Sequence, residues 1–525
     1  MVLTVLAGLM QAFSLSTPWD GQPLWWLQTL ALTGFAWLLL QTSNPGRAAA
    51  LGWLFATSWL TATFGWLFTS MHTYGGLAAP LALLAVLGLA GFLALYWAVA
   101  CAGFTLLFRD QAIENGWGSA IVFSALWLLA ELARTVWFTG FPWGGIAYAH
   151  IDGPLAAYAP WVGGYGMTLV AAATAMGLAQ ALQQAQVRRS GLPPLGPLAS
   201  VLFVAALLPW GLRSAHAERE ANPSLSTGTV TLALLQGNIP QDEKFESGTG
   251  VAMALQWYSQ ELRAAHADLV VAPETALPLL PQDMPEGYWA ALQTHFGHAS
   301  AALIGTPLGS LAEGYTNSVY GLAPGLAAPY RYDKHHLVPF GEFIPPLFRW
   351  FTEMMDIPLG DFERGSVNAP SFPVRGERVA LNICYEDLFG EELAVRFADA
   401  ATAPTVLANI SNIGWFGNTI AITQHLNISR LRTLELQRPM LRATNTGATA
   451  IIDHQGRVTA QLPPFTRGAL QGQVQGRRGN TVYADWASRW GLWPLVGLAC
   501  LVVLLALGLS AASKKGMPRK LARSP

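Results

Sequence analysis

Cys384 is the only cysteine outside the chain's apolar stretches, and it ends the run Leu381-Asn382-Ile383-Cys384, with Glu386 and Asp387 just beyond. That segment reads as a buried strand delivering a thiol. Cys101 and Cys500 lie in long hydrophobic runs, where a thiol is usually a small core residue. Three cysteines so placed argue against a disulfide framework, so Cys384 is read as a free thiol. A thiol works as a nucleophile only when a base removes its proton and a donor stabilises the charge its attack creates. Glu274, closing the strand-like run Asp268–Glu274, supplies a base; Lys334, in Tyr332-Asp333-Lys334-His335-His336, supplies a cation. Residue types alone leave two readings open: a Glu–Lys–Cys catalytic set, or a buried cysteine with unrelated charges nearby in sequence.

The scaffold for these residues is unusual in composition. The chain has 525 residues, 52% apolar and only 12% charged, about half the charged share of an average soluble domain. Its first 108 residues contain only Asp20 and Arg47 as acidic, lysine or arginine side chains. A water-soluble surface cannot be built from that, so this part belongs in lipid. A formal net charge of −1 gives no basic field to attract nucleic acid.

A spanning helix needs about 20 mostly apolar residues. Eight stretches qualify: 1–17, 24–41, 48–70, 77–108, 117–137, 155–184, 195–212 and 488–509. The first lacks a basic n-region and runs straight into more spans, so it is read as retained rather than as a signal peptide. The predicted domains are seven spans over 1–212, an extramembrane domain over 213–487, an eighth span over 488–509 and a basic tail over 510–525. With eight spans, Arg47, Arg109, Arg188, Arg189 and the tail residues Lys514, Lys515, Arg519, Lys520 and Arg523 all fall on one side. The excess of basic residues marks that side as cytoplasmic and puts 213–487 across the membrane, in the periplasm or its equivalent. Within the fifth span, Glu131 and Arg134 share a helix face, as a structural pair or as lining of a polar cavity. The following Thr139–Gly144 reads as a turn with interfacial aromatics, either a re-entrant loop or a contact with lipid.

From Thr229 the pattern changes to strands near 230–236, 268–274, 301–305, 316–322, 378–384, 404–410 and 448–452, with helices near 248–266, 286–299 and 419–437. This alternation predicts one α/β domain, reached through a charged, Pro-containing linker at Glu218-Arg219-Glu220 and Pro223. Other chemistries lack their residues: there is no Cys-x-x-Cys, no His-Glu-x-x-His and no Gly-x-Ser-x-Gly. Gly163-Gly164-Tyr165-Gly166 lacks phosphate-loop spacing. The expectation is no metal, no nucleotide and no other cofactor.

At these residues the chain resembles the nitrilase (carbon–nitrogen hydrolase) superfamily, whose Glu–Lys–Cys triad comes in this chain order on strand ends. More closely, the whole length resembles the apolipoprotein N-acyltransferase family, the membrane-embedded branch found in Gram-negative bacteria. The motifs are Thr139–Trp143, Gln236-Gly237-Asn238-Ile239-Pro240-Gln241, Pro273-Glu274, Lys334–Phe343, Ile383-Cys384-Tyr385-Glu386, Trp415-Phe416-Gly417, Gln424-His425 and Arg442–Gly447. Two positions depart from the family pattern: Phe245 stands where tryptophan is usual, and Ile413 where the loop usually carries aspartate.

The resemblance implies an α-β-β-α sandwich beside the membrane helices, in the bacterial inner membrane, with its extramembrane domain in the periplasm. It implies acyl transfer in two halves: a phospholipid donates to Cys384, and the N-terminal amine of a diacylated lipoprotein takes the acyl chain. Glu274 is the implied base and Lys334 the oxyanion donor, together with the Tyr385 N–H. Glu342 is expected to orient Lys334 or assist the base, while Tyr385 and Glu386 shape the pocket; Glu342 and Glu386 as plain salt-bridge partners stay open. Phe245 and Trp415 are expected against lipid. Apolar residues over 343–359, including Phe348 and Trp350, exceed what a soluble loop exposes and read as a lipid-dipping arm or as ordinary packing. Two rival functions remain. One is a membrane-tethered amidase using water, which has no use for eight spans. The other is a transport or lipid-binding scaffold, which has no need of an intact triad.

Overall fold

The structure is a computed structural model that describes residues 1–108, 117–188, 201–220, 223–298, 300–344 and 362–516. The apolar part forms helices α1 (Val2–Leu15), α2 (Trp25–Leu39), α3 (Pro45–Thr63), α4 (Ala79–Leu93), α5 (Leu95–Phe108), α6 (Trp117–Val136), α7 (Ala159–Arg188) and α8 (Leu208–Glu220). Among the described residues, four helical stretches are long and apolar enough to cross a membrane: Ala79–Phe108, Gly118–Thr139, Pro154–Gln186 and Trp493–Ala512. The stretches expected at 1–17 and 24–41 hold helices of 14 and 15 residues. At 1.5 Å per residue these reach roughly 21–23 Å, short of a full hydrocarbon thickness. The stretch expected at 48–70 divides: α3 ends at Thr63, and short turns cover Leu67–Tyr74. The expected linker at Glu218–Glu220 is instead the end of α8.

The centre of the helical part is aromatic. Phe35, Phe55, Trp59, Trp97 and Trp127 are all buried, with Phe35 and Phe55 stacked at 4.3 Å between ring centroids and Trp59 against Trp97 at 5.0 Å. Arg134 caps this cluster, its guanidinium 5.4 Å from the Trp97 ring.

The second part is a two-sheet sandwich. Its strands are β1 (Ser226–Gln236), β2 (Leu269–Val271), β3 (Ala301–Ser310), β4 (Gly314–Leu322), β5 (Tyr330–Asp333), β6 (Phe372–Val374), β7 (Glu377–Ile383), β8 (Val406–Ser411), β9 (Met440–Thr444), β10 (Ala450–Ile452), β11 (Val458–Gln461) and β12 (Gly468–Arg477). One sheet runs β12-β1-β2-β3-β4-β5, the other β11-β10-β9-β8-β7-β6. Parallel pairing of β1 with β2 and β2 with β3, and of β7 with β8 and β8 with β9, sets these strands at the sheet centres, where parallel strands are buried on both faces.

Three apolar layers hold the sandwich. Leu234, Val271, Leu303, Leu381, Ile410 and Leu441 fill the space between the sheets. Outside the first sheet pack α9 (Ala252–Ala264) and α10 (Tyr288–Phe296), through Tyr258, Leu262, Leu292 and Phe296. Outside the second lies α11 (Ala421–Leu436), followed by α12 (Val482–Trp490) and α13 (Trp493–Gly516). On that side Tyr385, Phe389, Ile413 and Leu431 share one continuous apolar cluster with Trp59, Phe64, Trp143 and Tyr158 of the helical part. The outer face of the second sheet, with α11 on it, is therefore covered by the helical part rather than by solvent.

Candidate active site

The strand ends of both sheets converge on one buried polar site. Glu274 stands three residues past β2, in a turn rather than at the end of the strand as expected. Gly305 of β3 permits this turn: a Cβ there would lie 2.1 Å from the Pro273 carbonyl. Lys334 follows β5 directly, with its N–H donating to the Asn317 carbonyl at 2.9 Å. Cys384 follows β7 and opens a short 3-10 turn, Cys384–Leu388. Its φ is +52°, a left-handed conformation that costs a non-glycine residue about 1–3 kcal/mol and persists only where the surroundings over-determine it.

Hydrogen bonds fix the two carboxylates. Glu274 accepts from Asn317 Nδ2 at 2.7 Å and, through its other oxygen, from the Asn412 N–H at 2.7 Å. Lys334 Nζ lies 3.5 Å from Glu274 and 2.9 Å from Glu342. Glu342 also accepts from Asn317 Nδ2 at 2.7 Å and from the Val338 N–H at 2.8 Å. Glu342 thus pairs with Lys334, and Asn317 bridges both carboxylates. Burial opposes the Lys334 ammonium, but Glu342 and then Glu274 outweigh it and hold its pKa above the ordinary lysine range. Burial pushes the Cys384 thiol up to about 12 with Glu274 adding to the rise, while Lys334 and then the Ser411 hydroxyl act the other way. Cys384 still keeps part of its surface open.

Among the described residues Glu386 forms no salt bridge, and its carboxylate is taken up by hydrogen bonds. One oxygen accepts from the N–H groups of His335 at 2.6 Å and His336 at 3.1 Å. The other accepts from the Ile383 N–H at 2.6 Å and the Tyr332 hydroxyl at 2.7 Å. It therefore ties the chain after Lys334 to the turn carrying Cys384 and sets one catalytic candidate against the other. Tyr385 is buried, and its hydroxyl donates to the Gly140 carbonyl at 2.9 Å. Gly140 lies in the loop after α6, with φ +79°, where a Cβ would strike the Thr135 carbonyl at 1.9 Å. The same loop is gripped by Arg134, whose guanidinium donates to the carbonyls of Phe141 at 2.9 Å and Trp143 at 2.6 Å while pairing with Glu131 at 2.9 Å. The Glu131–Arg134 pair is structural: it holds the membrane loop against the residue beside the thiol.

Phe245 is 45% exposed, and Trp415 meets Tyr74 edge-on at 6.0 Å. Among the described residues, neither makes a hydrogen bond or ring contact with Glu274 or Lys334. Phe348 and Trp350 lie outside the described residues, as does most of the expected arm. His335 and His336 bond to the Gly365 carbonyl and to Glu392 respectively, and no group of metal-binding side chains occurs among the described residues.

With this geometry in hand, similarity to known proteins is decisive. Residues 7–177 match the apolipoprotein N-acyltransferase N-terminal domain, and residues 231–483 match carbon-nitrogen hydrolase. The chain is 55% identical to the apolipoprotein N-acyltransferase of Verminephrobacter eiseniae, over 93% of this chain and 92% of that one. It is 47% identical to the Ralstonia nicotianae protein of that name, over 92% and 89%. The chain belongs to the apolipoprotein N-acyltransferase family. Among solved structures, a carbon-nitrogen hydrolase from Helicobacter pylori is similar over 51% of this chain and 94% of its own, at TM-score 0.35 and 14% identity. The family is one of enzymes, and the expected fold, a nitrilase-like sandwich beside apolar membrane-length helices, is the one observed.

The departures from the family pattern have a physical setting here. Ile413 is fully buried in the apolar cluster shared with the membrane helices, where an aspartate would bury a charge. Sequence reasoning missed Lys244, which is buried beside the site and donates to the Glu274 carbonyl at 3.2 Å. Burial lowers its pKa to about 8, against the pull of Glu274 and Cys384. Its only sequence signal is its place directly before Phe245.

Proposed function

We propose that this chain moves an acyl chain from a phospholipid, through a thioester on Cys384, to the N-terminal amine of the diacylglyceryl-cysteine on apolipoproteins. The observation that carries this reading is the Tyr385–Gly140 hydrogen bond. It joins the residue after the thiol to a loop of the helical part, which supports a lipid carbonyl as the substrate. A thiol with a pKa near 12 holds no standing thiolate at neutral pH, so its proton must leave as the new bond forms. Glu274 takes that proton. The sulfur attacks the ester carbonyl, and the oxyanion is met by Lys334 and the Tyr385 N–H. Collapse breaks the ester C–O bond, and Glu274 returns the proton to the departing lysophospholipid oxygen. In the second half the lipoprotein amine attacks the thioester, Glu274 takes its proton, and collapse expels the Cys384 sulfur, which recovers a proton. Ping-pong kinetics follow from this division.

In this reading the chain makes eight spans, with both termini cytoplasmic and residues 213–487 in the periplasm of an inner membrane. The one-sided placement of basic residues supports that topology. The arm over 343–359, with Phe348 and Trp350, together with Phe245 and Trp415, would receive the acyl chains. A phospholipid carrying a radiolabelled acyl chain tests the function. Label moving to an apolipoprotein supports it; release of free fatty acid alone favours the water-using hydrolase, and binding without turnover favours a scaffold.

A further inference from the structure

The Cys384 carbonyl accepts two side-chain hydrogen bonds that neither half-reaction uses, from Asn409 Nδ2 at 3.2 Å and His425 Nε2 at 3.1 Å. His425 is fully buried, and its other nitrogen, Nδ1, lies 2.7 Å from Arg442 Nη2. A guanidinium only donates. Nδ1 must therefore accept, which leaves the ring proton on Nε2, facing the Cys384 carbonyl. Burial and then the Arg442 charge hold the His425 pKa well below the ordinary histidine range, so the ring stays neutral with that tautomer.

Arg442 is itself fixed. It donates to the Ala448 carbonyl at 3.1 Å, to Ser429 at 2.6 Å and to Asn409 Oδ1 at 3.2 Å, and lies 3.4 Å from Asp387. One buried arginine thus backs both donors to the same carbonyl, and also holds the far end of the turn that carries the thiol. The carbonyl of Cys384 and the N–H of Tyr385 belong to one planar trans peptide unit. Holding the carbonyl toward α11 and β8 therefore aims the Tyr385 N–H the opposite way.

We propose that His425 is a positioning residue that, with Asn409, locks the Cys384–Tyr385 peptide so that its N–H faces the developing oxyanion. This rests on the reading of Cys384 as nucleophile and the Tyr385 N–H as oxyanion donor. His425 also packs 5.4 Å from Trp143, and its neighbour Gln424 accepts from the indoles of Trp66 at 3.0 Å and Trp143 at 2.8 Å. The lock is thus built against the membrane loop.

The test uses the full-length protein in detergent and two opposed substitutions. His425→Phe keeps a ring against Trp143 and loses the N–H; His425→Gln keeps an N–H and loses the ring. Three quantities are measured: single-turnover acylation by a short soluble p-nitrophenyl ester, alkylation of Cys384 by iodoacetamide, and thermal unfolding. Loss of one oxyanion donor costs on the order of 10²–10³-fold. His425→Phe should therefore slow acylation about 10²-fold or more at saturating ester, with KM and alkylation within about threefold of wild type. His425→Gln should recover at least about tenfold of that loss. The reverse order, with Phe milder than Gln, would make His425 a packing residue and overturn the proposal, as would an acylation loss matched by alkylation. If His425→Phe does not fold, Asn409→Leu removes the other donor and decides: selective loss of acylation supports the lock, and wild-type acylation refutes it. Persistent ester acylation in Cys384→Ser would instead refute the nucleophile reading on which the proposal rests.

Discussion

Glu386→Gln is the sharpest probe of how the two halves of the site are held in register. The carboxylate accepts four hydrogen bonds, two from the backbone after Lys334 and two from Ile383 and Tyr332. Glutamine keeps one carbonyl oxygen and replaces the other with a donor. The N–H groups of His335 and His336 cannot turn away, so the amide oxygen must face them. Its NH2 then faces Ile383 and Tyr332, where the tyrosine hydroxyl can rotate and accept. The Ile383 N–H cannot, and loses its partner. A hydrogen bond to a charged group contributes about 1.5–3 kcal/mol. If that loss falls on the placement of Cys384 against Lys334, thioester formation slows about 10- to 150-fold. Single-turnover mass spectrometry with phospholipid reads the rate, and thermal melting reads any part of the loss borne by the whole fold. Wild-type acylation together with an unchanged melting temperature would refute the claim that Glu386 registers the site.

Three further outcomes are expected. Because burial raises the Cys384 thiol to about 12, the thiolate fraction at pH 7 is about 10⁻⁵; iodoacetamide alkylation should keep rising about tenfold per pH unit from 7 to 10, and a plateau near pH 7 would contradict the raised pKa. Lys334→Ala should slow both thioester formation and transfer to lipoprotein by about 10²–10³-fold, measured separately by quench flow; loss in one half only would remove Lys334 from the shared oxyanion site. Reporter fusions at Ser226 and Ser524 should signal opposite compartments, since an even number of spans puts both termini on the side away from 213–487, and matching signals would break the eight-span topology.

The sequence was most readable where structure is local. Leu381–Ile383 and Leu269–Val271 are short, mostly apolar runs; the first delivers Cys384 at its end, and the second leads into the turn that carries Glu274. The long apolar helices declared themselves by composition. Less visible were strands whose identity depends on a distant partner. β12 (Gly468–Arg477) carries Gln and Gly in alternate places, yet it pairs antiparallel with β1 from Leu235↔Ala469 to Thr229↔Gln475. β9 carries Arg442 in a fully buried strand, which hides the apolar pattern that marks an interior strand. The same residue explains why His425 gave no signal beyond its motif and Asn409 none at all: their roles exist only once β8, β9 and α11 meet behind the thiol. Likewise Thr139–Gly144 read as a turn, re-entrant or in contact with lipid, with nothing in it to announce that its carbonyls are taken by Arg134, Tyr385 and His336. Local sequence marks a turn but not the surface it docks on.

Acyl transfer through Cys384 requires a thioester that forms with the donor alone. Purified protein incubated with a phospholipid of defined acyl chains and analysed by intact-mass and peptide mass spectrometry tests it directly. One acyl adduct is expected on the wild type, mapped to Cys384, released by an apolipoprotein amine and missing from Cys384→Ser. An adduct of equal yield on Cys384→Ser, or one mapped to Cys101 or Cys500, would contradict it.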